Sequence, residues 1–165
     1  MDKKVLFLTQ SAIIAGLYVM LLLAFQPISV SAIQFRISEA LTILPYFTPA
    51  AIPGLFVGCF LGNLLAGCAP LDFIFGSLTT LVAAALSYGL RKHKFLVPLP
   101  PILLNALVIP FVLLKAYGTE EGIPFMMATV GAGQVIACGV LGMILLMALD
   151  RHKHTIFGNY VYHKK

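Results

Sequence analysis

Long apolar runs punctuated by proline, glycine and a few charges set the pattern of this chain. They give six candidate spans, at residues 5–25, 34–47, 51–66, 71–90, 95–116 and 123–149. A helix rises 1.5 Å per residue, so crossing a hydrocarbon core of about 30 Å takes roughly 20 apolar residues. The second span falls short of this. Its apolar part, 37–47, is broken by Pro45 and followed by Pro49 and Pro53, and it crosses only if Gln34, Phe35 and Arg36 or the residues after Phe47 extend it. Backbone of this kind is tolerated at membrane depth where protein buries it or where it lines a wet cavity. The first span exceeds a signal peptide's apolar core of about 7–15 residues and has no small-x-small cleavage site before Pro27. It is expected to stay as a helix.

Composition fixes the class. Of 165 residues, 60% are hydrophobic and 10% charged, against about 25% charged in a soluble domain. Mean hydropathy is +0.98. The expectation is an all-α integral membrane bundle of six transmembrane helices, a single domain over residues 1–165. Little chain remains for a fused ATPase, a nucleic-acid module or a large extramembrane enzyme. No G-x-x-x-x-G-K-[ST] motif is present to cradle a nucleotide's phosphates.

The net charge of +5 matters less than where the charges fall. With six spans, Lys3, Lys4, Arg91, Lys92, Lys94, Arg151, Lys153, Lys164 and Lys165 share one side with both termini and the loop 48–50. The positive-inside rule makes that side cytoplasmic in a cell membrane. The opposite side holds Arg36 and Lys115 beside the acids Glu39, Asp72, Glu120 and Glu121. This is the distribution of a lipid-embedded chain, and no nucleic-acid partner is expected.

Six polar residues sit within or at the ends of the spans: Arg36, Glu39, Asn63, Asp72, Asn105 and Gln134. Counted along the helices, Glu39, Asn63 and Asp72 lie near the outer boundary, and Asn105 and Gln134 lie about 15–18 Å in. Polar side chains are expensive in a bilayer, so they face partners or water. Convergence in the outer half of the bundle predicts an outward pocket offering carboxylates and amides to a small polar solute. Simpler readings stay open for each. Asn105 or Gln134 can join helices, Arg36 and Glu39 can pair along one face, and Asp72 after Pro70 can cap a helix.

Gly54, Gly58 and Gly62, followed by Ala66, draw a bare stripe along the third span, which is expected to pack within the chain. Ala12 and Gly16 form a shorter version on the first, a candidate contact for another subunit. Cys59, Cys68 and Cys138 make neither a C-x-x-C motif nor a disulfide framework and read as small hydrophobes. The four histidines, His93, His152, His154 and His163, all lie in basic segments, with no supporting metal ligands. No metal and no cofactor are expected.

The run Gln34-Phe35-Arg36-Ile37-Ser38-Glu39-Ala40-Leu41-Thr42-Ile43-Leu44-Pro45, and later Pro70-Leu71-Asp72-Phe73-Ile74-Phe75-Gly76-Ser77-Leu78-Thr79-Thr80-Leu81, resemble the signature of the QueT family. The likeness extends from the first span to about Leu149. These are substrate-binding S components of energy-coupling factor transporters, assigned to queuosine precursors. The resemblance implies six helices, a vitamin-like ligand caught near the outer surface, an EcfT-type transmembrane coupling subunit and two cytoplasmic ATPases. It also places Ala12 and Gly16 against the coupling subunit. An acidic residue is expected in the sixth span where this chain has Gln134.

A 7-deazaguanine presents N1–H and a 2-amino group side by side, a donor pair that suits a carboxylate. Glu39 is the candidate for that edge, and Asp72 for a protonated aminomethyl arm. Tyr46 or Phe73 is the candidate for stacking on the ring. Rival readings are an S component for riboflavin, thiamine or a pyridine vitamin, a non-transporting membrane assembly protein, and a small intramembrane enzyme.

Overall fold

The computed structural model describes residues 3–26 and 36–157, apart from the His154 side chain. Gln34, Phe35, His163, Lys164 and Lys165 lie outside the described residues. Within them all regular structure is helical. The order is α1 (Lys3–Ala24), a 3₁₀ segment (Ile37–Tyr46), α2 (Ala51–Leu65), α3 (Pro70–Gly89), a 3₁₀ turn (Lys94–Leu96), α4 (Leu99–Tyr117) and α5 (Ile123–Gln134). α5 runs on through a π-helical stretch (Val135–Leu141) into α6 (Gly142–Asp150), and α7 (Lys153–Phe157) follows. Prolines open α3, α4 and α5, where a missing N–H costs nothing. Gly67 at φ 74° and Gly118 at φ 61° close α2 and α4 in the left-handed region that glycine adopts without strain.

Among the described residues, four stretches are long and apolar enough to cross a membrane: Lys3–Ala24, Pro70–Gly89, Lys94–Tyr117 and Ile123–Asp150. The other two expected spans are short. Ala51–Leu65 has 15 residues. The second span is a 3₁₀ helix of 10 residues containing Pro45. At about 2.0 Å per residue it covers roughly 20 Å, where an α-helix of equal length covers about 15 Å.

Its surroundings explain how so irregular a segment is kept. Every residue from Ser38 to Pro45 is buried. The segment is enclosed by α1, α2, α3, the π-helical stretch and α6, the protein burial that irregular backbone needs at membrane depth. Gly142 lets α6 come in close, since a Cβ there would stand 2.9 Å from Ile43 Cγ2. Around this strut α1 packs on α2, α2 on α3, α3 on α4 and α4 on α5.

The glycine stripe packs inside the chain. A Cβ at Gly54 would sit 2.8 Å from the Ser11 carbonyl oxygen, one at Gly58 2.7 Å from Tyr18 Cβ, and one at Gly62 3.1 Å from Leu22 Cδ1. α2 therefore runs parallel to α1 with the two backbones nearly touching. Gly16 has nothing within 4 Å of its Cβ position, and Ala12 beside it is exposed.

The loop 48–50 is drawn into the bundle. Thr48 and Ala50 are fully buried rather than at the basic surface. The Thr48 hydroxyl donates to Gln10 Oε1 at 2.8 Å, and the Ser11 hydroxyl donates to the Ala50 carbonyl at 2.9 Å. α1 thus satisfies polar groups that water would otherwise have to reach. Over the loop, Phe157 of α7 stacks on Phe47, centroids 4.8 Å apart and planes 2° from parallel. Because the turn is inside the bundle, the two segments it joins are short.

Candidate functional site

At the end of the bundle away from Lys3, Arg91 and Arg151, the finishes of α1, α2 and α4 meet the start of α3 around a cavity of about 320 Å³. That volume is at the lower end of the usual small-molecule range of about 300–1,000 Å³. Two local devices shape the rim. At the end of α2, the Cys68 N–H bonds to the Asn63 carbonyl at 3.0 Å and the Gly67 N–H to the Leu64 carbonyl at 3.2 Å, a Schellman turn that folds Cys68 back over Asn63. At the end of α4, Gly118 stops the helix directly after Tyr117, its N–H bonding to the Leu114 carbonyl at 3.1 Å.

Asp72 is the polar centre. It stands in the first turn of α3, where the helix dipole favours a negative charge. Arg36 Nη2 approaches Asp72 Oδ2 at 3.5 Å, and the Tyr117 hydroxyl donates to the same oxygen at 3.1 Å. The Ala69 N–H donates in turn to the Tyr117 oxygen at 3.0 Å. Asp72 Oδ1 is buried with no partner. Asn63 lies close by: a Cβ on Gly76 would be 3.5 Å from Asp72 Oδ1 and 3.7 Å from Asn63 Nδ2. Burial first, and then the Asp72 charge, push the Cys68 thiol above its ordinary pKa.

Of the six residues singled out in the sequence, Arg36, Asn63 and Asp72 line this cavity together. Glu39, Asn105 and Gln134 are buried but do not line it. Glu39 lies deeper, where its Oε1 accepts a 2.5 Å hydrogen bond from the Tyr18 hydroxyl, roughly 9 Å down α1 from Ala24. Glu39 Oε2 has no partner. Gln134 reaches the Glu39 region through Cys138, whose thiol contacts Gln134 Oε1 at 3.0 Å and the Glu39 carbonyl at 3.4 Å. Asn105 stands apart, and its Nδ2 has no partner.

The aromatic candidates are placed elsewhere. Tyr46 meets Phe47 edge-on, and Phe73 meets Phe60 edge-on, and neither lines the cavity. Sequence reasoning passed over Tyr18, Gln26 and Tyr117. Each has a polar tip in or just beyond a mainly apolar helix, which is the signal that such a tip needs a partner when buried. The cysteines serve as more than small hydrophobes, since Cys59 Sγ takes contacts from Asn63 Nδ2 at 3.4 Å and Thr80 Oγ1 at 3.6 Å.

Apolar helices long enough to span, closed around a buried strut and an end-on polar cavity, define an all-helical integral membrane protein. The chain matches the family described as QueT transporter over residues 8–151, and it belongs to that family. Over 77 residues, 46% of its length, it is 39% identical to the "Queuosine precursor transporter QueT" of Lactococcus lactis subsp. cremoris (strain MG1363). The matched stretch covers 45% of that protein. No solved structure matches the chain.

Proposed function

We propose that this chain is the substrate-binding S component of an energy-coupling factor importer, taking up a queuosine precursor of the 7-deazaguanine type. It performs no chemistry of its own. In this reading the short segments cross together with the four long ones, giving six spans in the cell membrane. Both termini and the basic end face the cytoplasm, and the cavity faces outward.

The observation that carries the proposal is Asp72: a buried carboxylate in an end-on cavity, fixed through Oδ2 by Arg36 and Tyr117, with Oδ1 left unpartnered. A buried acceptor without a donor is costly, and an N–H-bearing ligand supplies the donor. Arg36, Asn63 and Asp72 are the proposed direct contacts. Glu39, Asn105 and Gln134 stay in the interior, where Glu39 Oε2 and Asn105 Nδ2 are the acceptor and donor left for a ligand group or water that reaches them. In this reading the motor is a separate subunit, as no G-x-x-x-x-G-K-[ST] motif occurs in the 165 residues. The EcfT-type coupling subunit is proposed to dock on the open α1 face at Ala12 and Gly16, with two ATPases below it.

Calorimetry on the purified protein in lipid nanodiscs tests the reading. Titration with 7-cyano- and 7-aminomethyl-7-deazaguanine should give saturable binding that riboflavin and thiamine do not. Binding of a vitamin in their place would redirect the substrate assignment, and no binding from the whole panel would leave the receptor reading without support.

A further inference from the structure

Tyr117 lines the cavity, and it is the one aromatic ring among the described residues that do so. Its neighbours there include the aliphatic side chains of Leu22 and Leu113 and the polar groups of Arg36, Asn63 and Asp72. Tyr117 is about half exposed, at 48%, so part of the residue is unpacked. Its hydroxyl is held at both ends, donating to Asp72 Oδ2 at 3.1 Å and accepting from the Ala69 N–H at 3.0 Å. Gly118 ends the helix at once, so nothing further along α4 covers the ring.

We infer that Tyr117 is the specificity-determining residue of the cavity: its ring supplies the stacking wall for a planar heteroaromatic ligand, while its hydroxyl positions Asp72. This deepens the functional reading above and rests on it. Stacking on an aromatic side chain accepts any flat π-face and says little about substituents. Discrimination comes from the hydroxyl. With Oδ2 occupied by Tyr117 and Arg36, the acceptor left on Asp72 is Oδ1, which is buried beside Asn63 and Gly76, so only an in-plane ring N–H that reaches in from the cavity can pair with it. A ligand without that N–H leaves Oδ1 unsatisfied, and an aliphatic ligand leaves the ring bare.

Three variants separate the two roles in the full chain in nanodiscs, with 7-aminomethyl-7-deazaguanine as the probe. Tyr117→Leu removes the ring and should weaken binding about tenfold or more. Tyr117→Phe keeps the ring but frees Asp72. It should lose a few-fold in affinity and lose discrimination against the N1-methylated base. The chain contains no tryptophan, so Tyr117→Trp places a single reporter in the cavity. It should show the same few-fold loss as Tyr117→Phe, since the indole cannot hold Asp72, with fluorescence quenched at saturation, and wild-type melting of all three variants shows that the fold is intact. Wild-type affinity in Tyr117→Leu, or binding by Tyr117→Trp with no change in emission, would overturn the inference and leave the receptor reading standing. Failure of the wild-type protein to bind any base would overturn both.

Discussion

Tyr18 and Glu39 are joined by a 2.5 Å hydrogen bond that ties the middle of α1 to the 3₁₀ segment. Both side chains are buried, at 0% and 2% exposure. The bond has a structural consequence, because the i→i+3 hydrogen bonds of a 3₁₀ segment have poorer geometry and lie within the segment, so they do not fix its height in the bundle. Tyr18→Phe should therefore destabilise the fold by about 1–3 kcal/mol, the penalty for leaving a buried polar group unsatisfied. A double-mutant cycle with Glu39→Leu, which removes the acceptor, followed by unfolding in mixed micelles, should give a coupling of about 1 kcal/mol or more. Additive effects would mean that the bond contributes nothing.

Glycines on opposite faces should behave oppositely. A Cβ at Gly58 would lie 2.7 Å from Tyr18 Cβ and 3.0 Å from the Ala15 carbonyl oxygen, so Gly58→Ala must push α1 and α2 apart. The expected result is a clear loss of thermal stability, with Gly58→Leu failing to yield monodisperse protein. Gly16→Leu meets nothing within 4 Å and should melt like wild type. If the α1 face docks the coupling subunit, the same variant should lose co-purification with that subunit while still binding ligand.

Asp72 can be probed from two directions. Asp72→Asn removes the charge facing Arg36 and should lower ligand affinity by tenfold or more. Gly76→Ala leaves Asp72 itself untouched. Its methyl group would sit at ordinary contact distance, 3.5 Å from Oδ1 and 3.7 Å from Asn63 Nδ2, so the empty protein should accept it. The prediction is unchanged melting together with weaker binding, because the methyl fills the space beside Oδ1 that a ligand N–H would have to enter. Unchanged affinity by calorimetry would show that the ligand does not use Oδ1.

Cys68 is the reporter of occupancy. Cys59 and Cys138 are buried, whereas Cys68 is partly exposed on the cavity wall. Its thiol pKa is raised by burial and by the Asp72 charge, so less thiolate is present at neutral pH than in an ordinary cysteine. Alkylation by a small maleimide should be slow near pH 7 and speed up as the pH rises toward the shifted value. Asp72→Asn should accelerate it at fixed pH, and saturating ligand should suppress it. Mass spectrometry of the labelled peptide checks all three.

Much of the architecture was legible because hydrophobicity is written locally. The apolar runs, the prolines that open helices and the glycine spacing on α2 each depend on residues a few positions apart, and Arg36, Asn63 and Asp72 were conspicuous because charge and amide groups are costly in such runs. The relationships that give the cavity its shape are long-range. Tyr18 meets Glu39 across 21 positions, Arg36 meets Asp72 across 36 and Tyr117 meets Asp72 across 45. No periodicity encodes such pairs.

What the sequence determined by itself was the solvent: a chain this apolar has to satisfy its backbone in helices and keep its few polar groups away from lipid. Tertiary structure decided which polar groups meet. Enclosure by its neighbours let a 10-residue segment with a proline persist as a 3₁₀ helix and drew the loop 48–50 inside. The same packing put Asp72 beside Tyr117 and set Glu39 one layer below the cavity. Depth counted along a helix gives one coordinate, and the direction in which a side chain points is fixed only when the helices around it are in place.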